Sequence, residues 1–169
     1  MDDSCIGPPH GLTRRFALAM LVAASIVPRS SAVAQTSNIL VHKDPNCSCC
    51  SGWVKHLKDA GFVVTVEETA DLEPIRKRLG VPVDLAACHT AEVDGYVLEG
   101  HVPAVAVRRL LEERPTATGL SVPGMPAGSP GMEGGTTKRY DVILFGKTGR
   151  QPFMHFVGAE NVDEAPGSS

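Results

Sequence analysis

Cys47-Ser48-Cys49-Cys50, followed directly by Ser51-Gly52-Trp53, constrains this chain more than any other segment. Three of its five cysteines fall within four positions, so the local fold must crowd three thiols into about one turn. A fourth, Cys88, stands next to His89, beyond a predicted helix and strand. Thiolates are soft ligands, suited to Cu(I), zinc and iron–sulfur clusters rather than to magnesium or calcium. The cluster points to metal or redox chemistry.

The N-terminus reads as an export leader. Thr13-Arg14-Arg15-Phe16 precedes an apolar run to Val27, and Ser31-Ala32-Val33-Ala34-Gln35 supplies small residues in an A-x-A pattern. Cleavage after Ala34 divides the chain into a leader, 1–34, and a single domain, 35–169. Paired arginines before Phe resemble a twin-arginine signal, the route for folded cargo; general secretion is the alternative. The apolar run, about twelve residues, is well short of the ~20 needed to span a bilayer, and Cys5 lies in no lipobox-like context. The domain is long enough for a real core. Net charge is −3 and there is one Trp. With no basic stripe, nothing in the chain suggests nucleic acid.

Along the domain, residues 38–43 read as a strand closed by Asp44-Pro45-Asn46. Residues 51–60 form a helix with Trp53, Val54 and Leu57 on one face and Gly61 at its C′ position. Residues 62–67 are β-rich, and 71–79 make a short helix capped by Asp71, with Pro74 in its first turn and Gly80 at its end. Residues 87–93 and 96–100 flank Asp94-Gly95, a two-residue hairpin signal. Pro103 opens a helix to about Glu113, burying Val107, Leu110 and Leu111.

The resulting order, β-α-β-α-β-β-α, is that of an α/β, thioredoxin-like core. It sets the cysteines at a helix N-terminus, whose partial positive charge favours thiolate. Ten of the 21 residues in 115–135 are Gly or Pro, so no regular element is expected there. Within that loop Pro123-Gly124-Met125 recurs as Pro130-Gly131-Met132. Residues 140–145 and 153–157 read as extra C-terminal strands, with a frayed tail from Asn161.

Several chemistries suit the four domain cysteines. Two disulfides are the default for an exported protein. A Cys47–Cys50 bridge would mimic a redox C-x-x-C motif, giving a thiol–disulfide oxidoreductase, yet such motifs need no thiol in the middle. Structural zinc sites use C-x₂₋₄-C spacing for tetrahedral convergence, which three ligands from four consecutive residues hardly satisfy. They bridge several ions more readily, so a polynuclear soft-metal site is favoured; an iron–sulfur cluster shares the four-cysteine count.

The run Cys47–Trp53, Ala87-Cys88-His89-Thr90, Asp94-Gly95-Tyr96, Glu99-Gly100-His101-Val102-Pro103 and the loop 119–133 together resemble the CopG-type periplasmic copper-resistance family. The resemblance spans roughly 38–156. It implies a thioredoxin-like fold whose C-x-C-C motif and distant cysteine hold a multi-copper thiolate cluster, with Cys47, Cys49, Cys50 and Cys88 as ligands. It further implies a periplasmic role in copper resistance, by sequestration or Cu(I)/Cu(II) interconversion, beside other periplasmic copper-handling proteins.

His89 and His101 flank the hairpin and are candidate accessory groups beside Cys88. Met125 and Met132 are candidate copper-entry thioethers; the competing expectation is that they plug the loop onto the core. His42 ends a strand, and His56 is expected on a solvated helix face. Met154 and His155 alternate to opposite faces. Trp53 is expected to pack beneath the cluster. Nothing marks a hydrolase or a transferase, and Glu67-Glu68 and Glu112-Glu113 read as solvated element ends.

Overall fold

The computed structural model describes residues 37–163; the expected leader, its cleavage point and Cys5 lie outside them. In chain order the elements are β1 (Asn38–Lys43), α1 (Ser48–Asp59), β2 (Val63–Glu68), α2 (Glu73–Leu79), β3 (His89–Val93), β4 (Tyr96–Glu99), α3 (Ala104–Glu113), β5 (Gly119–Ser121), β6 (Arg139–Gly146), β7 (Gly149–Val157) and β8 (Glu160–Asn161). The class is mixed α/β, and the first seven elements follow the expected order.

The eight strands among the described residues form one sheet, ordered β2-β1-β3-β4-β5-β6-β7-β8. β1 pairs parallel with β2 through the α1 crossover and antiparallel with β3. The β3–β4 hairpin turns on Asp94-Gly95, both with positive φ (47° and 87°), the backbone a type I′ turn requires. β4 pairs parallel with β5.

Strand alternation builds a core on each face. Tyr96 and Leu98 of β4 join Ile39, Val41, Trp53, Leu57, Val107, Leu110 and Phe156 in the main core, covered by α1 and α3. Val97, between them, packs with Val81, Leu85 and Phe145 in a smaller cluster behind the sheet. α2 contributes no fully buried residue.

Four expectations need correction. Leu120 and its neighbours form β5 inside the Gly/Pro-rich segment, because β4 and β6 offer pairing partners on both sides. The first helix begins at Ser48, since Cys47 caps it; Cys49 and Cys50 therefore lie within its first turn. β3 begins at His89, two residues late, because the polar groups of Ala87 are engaged by side chains instead. The tail past Asn161 is tied down where described: β8 pairs with β7, and the Asp163 carboxylate accepts the His155 N–H at 2.9 Å. A smaller shift concerns α2, whose N-cap is Leu72; Asp71 still accepts the Glu73 N–H, at 3.0 Å.

Candidate metal centre

β1 ends in a turn that delivers Cys47 to the N-cap of α1, where its Sγ accepts the Cys50 N–H at 3.3 Å. A thiol-rich helix start thus satisfies one of its own orphan amides. Cys47 and Cys50 are joined as a disulfide, while Cys49 and Cys88 are free thiols. Cys49 Sγ lies 3.4 Å from Cys47 Sγ, and Cys50 Sγ lies 3.6 Å from the Cys88 carbonyl. The four sulfurs all fall within 4.8 Å of one another, so the structure brings together every cysteine singled out in the domain.

His101 adjoins them. Its Nδ1 lies 2.7 Å from the Pro130 carbonyl, which only accepts, so Nδ1 carries the proton of the neutral ring. The Nε2 lone pair then faces Cys88 Sγ at 2.9 Å. His89 Nδ1 lies 3.4 Å from the same sulfur, while the buried Nε2 of His89 has no hydrogen-bond partner among the described residues. Cys88, His89 and His101 form a second convergent donor group sharing Cys88 with the first. Trp53 is fully buried against His89, with ring centroids 4.2 Å apart, and its Nε1–H donates to the Val102 carbonyl at 2.8 Å.

Burial dominates the electrostatics. It pushes the Cys88 thiol up to about 12, with the neighbouring Cys49 adding to the effect. It pushes His89 down to about 3, with His101 acting in the same direction, and it lowers His101 against the opposing Pro130 bond. The helix terminus was expected to favour thiolate, but Cys88 stands off the helix and desolvation wins there. The protein alone therefore keeps a neutral thiol against an unprotonated ring nitrogen. Sulfur and nitrogen donors thus converge at one point, a mixture suited to a soft cation able to displace the thiol proton.

The two Pro-Gly-Met units are not equivalent. A Cβ on Gly131 would stand 2.4 Å from the Cys49 carbonyl oxygen and 2.7 Å from Trp53 N, and one on Gly52 would stand 2.9 Å from Gly131 Cα. Pro130-Gly131 therefore sits backbone to backbone on the first turn of α1, directly over Cys49. Gly124 has nothing within 4 Å of a Cβ position, and Met125 is 55% exposed, whereas Met132 is half-buried.

Three other placements were not foreseen. His56, expected in solvent, is half-buried and accepts the Ala104 N–H at 3.0 Å, capping α3, whose N-cap Pro103 offers no side-chain acceptor. His42 is buried between Glu67 and Glu92, at 3.3 and 3.2 Å. Glu99 and Arg76 meet as a buried ion pair at 2.9 Å beside Ala87. Met154 and His155 do face opposite sides, with Met154 in the core.

A protein-family profile described as "Protein of unknown function, DUF411" matches residues 85–132, the stretch that carries Cys88, His89, His101 and the docked loop. No curated protein matches the chain. Two solved structures do, both described as copper resistance protein CopG. Form 2 is 43% identical, with a TM-score of 0.64, covering 74% of this chain and 97% of its own. Form 1 is also 43% identical, with a TM-score of 0.63, covering 77% and 98%. Identity at that level across almost the whole of each relative places the chain in the copper resistance protein CopG family.

Proposed function

We propose that this chain is an exported, periplasmic copper-binding protein of copper resistance with a thioredoxin-like core. In this reading Cys47, Cys49, Cys50 and Cys88 hold several Cu(I) ions through bridging thiolates. The observation that carries it is the convergence of four sulfurs within 4.8 Å of one another. Bridging suits that donor set: three thiols from one helical turn crowd a single tetrahedral ion but can share several. His101 and His89 supply nitrogen donors on the Cys88 side, and Met125 and Met132 are the proposed entry thioethers. The copper-resistance relatives support copper over zinc or an iron–sulfur cluster. Interconversion of Cu(I) and Cu(II) at the same centre belongs to this proposal, as does exchange with other periplasmic copper-handling proteins.

The Cys47–Cys50 disulfide favours a second reading, a thiol–disulfide oxidoreductase. Under the copper reading the bridge is an oxidised state that an external dithiol must reduce, its two electrons and two protons giving the Cys47 and Cys50 thiols and leaving the dithiol as its own disulfide, before four thiols can bind metal. Metal analysis with thiol counting, on protein purified from the periplasm, separates the two. Several copper ions per chain, and four thiols after metal removal under anaerobic conditions, are expected. Copper-free protein that retains its disulfide and catalyses thiol exchange would favour the oxidoreductase.

The leader belongs to the same proposal, with the twin-arginine route carrying cargo already folded. Among the described residues no helix is long and apolar enough to cross a membrane.

A further inference from the structure

Cys88 is the one member of the sulfur cluster that lies neither in α1 nor at its N-cap, so something else must fix its distance from the other three. The residue before it, Ala87, is held at both of its polar atoms. Its N–H donates to Glu99 Oε1 at 2.7 Å, and its carbonyl accepts from Arg76 Nη2. Glu99 also accepts from Arg76 Nε at 2.9 Å and, through Oε2, from the Thr90 hydroxyl at 2.6 Å. The Glu99 side chain is fully buried and that of Arg76 is 15% exposed. On the other side of Cys88, the His89 carbonyl accepts the Gly100 N–H at 3.0 Å.

An ion pair this buried is a poor source of stability, because desolvation of the two charges offsets their attraction. What it does here is geometric. The guanidinium and the carboxylate hold the two successive peptide units that meet at the Ala87 Cα, the second of which leads into Cys88, and leave the Cys88 backbone little freedom. α2, which buries no residue fully, reaches the residue before Cys88 through Arg76.

We propose that Arg76 and Glu99 are positioning residues for Cys88, together holding its thiol at the distance at which it meets both His101 and the α1 sulfurs. This rests on Cys88 being part of the centre, but the clamp is measurable without any metal.

The test is alkylation of the metal-free, disulfide-intact protein with N-ethylmaleimide, comparing Cys88 with Cys49 in the same molecule by peptide mapping. Arg76→Met with Glu99→Leu removes both charges at similar volume, an exchange that folded proteins commonly tolerate. The Cys88-to-Cys49 rate ratio is expected to rise about tenfold, as a held segment gains local opening. Glu99→Gln keeps an acceptor for Ala87 and Arg76 and should leave the ratio within about threefold of the parent. Arg76→Lys keeps the charge but loses the fork; it should raise the ratio, and it serves alone if the double variant does not fold.

A ratio unchanged in Arg76→Lys, or in a folded double variant, would overturn the clamp, as would a Gln variant as reactive as the double one. Cu(I) titration of the same proteins reads the metal centre separately. A raised alkylation ratio in a chain that never binds copper would sink the copper reading and leave the clamp standing.

Discussion

His101 presents an unprotonated Nε2 to Cys88 Sγ at 2.9 Å because its Nδ1–H is committed to the Pro130 carbonyl. One imidazole thus joins the loop to the cysteine cluster and fixes its own tautomer in doing so. Where an imidazole does ligate a metal, the anchor on its second nitrogen is itself typically worth 10–100-fold in affinity. His101→Leu is therefore expected to weaken Cu(I) binding by about that factor in competition with a Cu(I) chelator. Loss of thermal stability with unchanged affinity would reduce His101 to a structural link.

His89 carries a different expectation. Its Nε2 is buried without a partner among the described residues, and its ring packs tilted at 36° against Trp53. Phe can keep that ring contact and remove an unsatisfied polar atom, a change that is often neutral or favourable. Metal-free His89→Phe should be at least as stable as the parent to urea at pH 7. A loss above about 2 kcal/mol would show that the ring nitrogens are satisfied in solution.

The pH dependence follows from the same burial. His89 and His56 both have folded-state values below the ordinary imidazole value, in each case chiefly from desolvation. Between about pH 6.5 and the lowered value, the unfolded chain binds more protons than the folded one. The stability that these two imidazoles contribute is therefore full above about pH 6.5 and is lost as the pH falls toward their lowered values, about 3 for His89. Urea midpoints should drop between pH 7 and pH 4.5, and by less in His89→Phe. Equal drops in the two proteins would remove His89 from the account.

Gly131 and Gly124 offer a paired test of loop docking. Both have positive φ, at 85° and 72°, but only at Gly131 would a Cβ collide with α1. Gly124→Ala should cost about 1 kcal/mol of backbone strain. Gly131→Ala should cost more, roughly 2–4 kcal/mol, and open the loop to protease. Equal costs would mean that the loop does not rest on the first turn of α1 in solution.

Much of this arrangement was legible because its signals are local. Cysteines preceding Trp53, Val54 and Leu57 announced a helix start, and Asp94-Gly95 announced its own turn. Proximity of His101 to Cys88 followed from the hairpin between them. The unforeseen features depend on partners far away in sequence. β5 exists because β4 and β6 flank it, although its own residues read as loop. His56 caps a helix 48 residues on, and nothing near it signals that. Glu99 lies in one of the segments that carry the family resemblance but reads locally as one more strand-end carboxylate; what sets it apart is Arg76, 23 residues away. Met125 and Met132 look alike in sequence, and only docking against Gly52 and Cys49 separates them.

Bridging by the middle thiol is the centre of the copper account, since a Cys47–Cys50 redox pair has no use for Cys49. The most direct measurement is anaerobic Cu(I) titration of the fully reduced protein beside its Cys49→Ser variant. More than one Cu(I) per chain is expected for the parent, with a sharp fall in stoichiometry for the variant. Unchanged copper binding in Cys49→Ser would contradict the thiolate-bridged cluster.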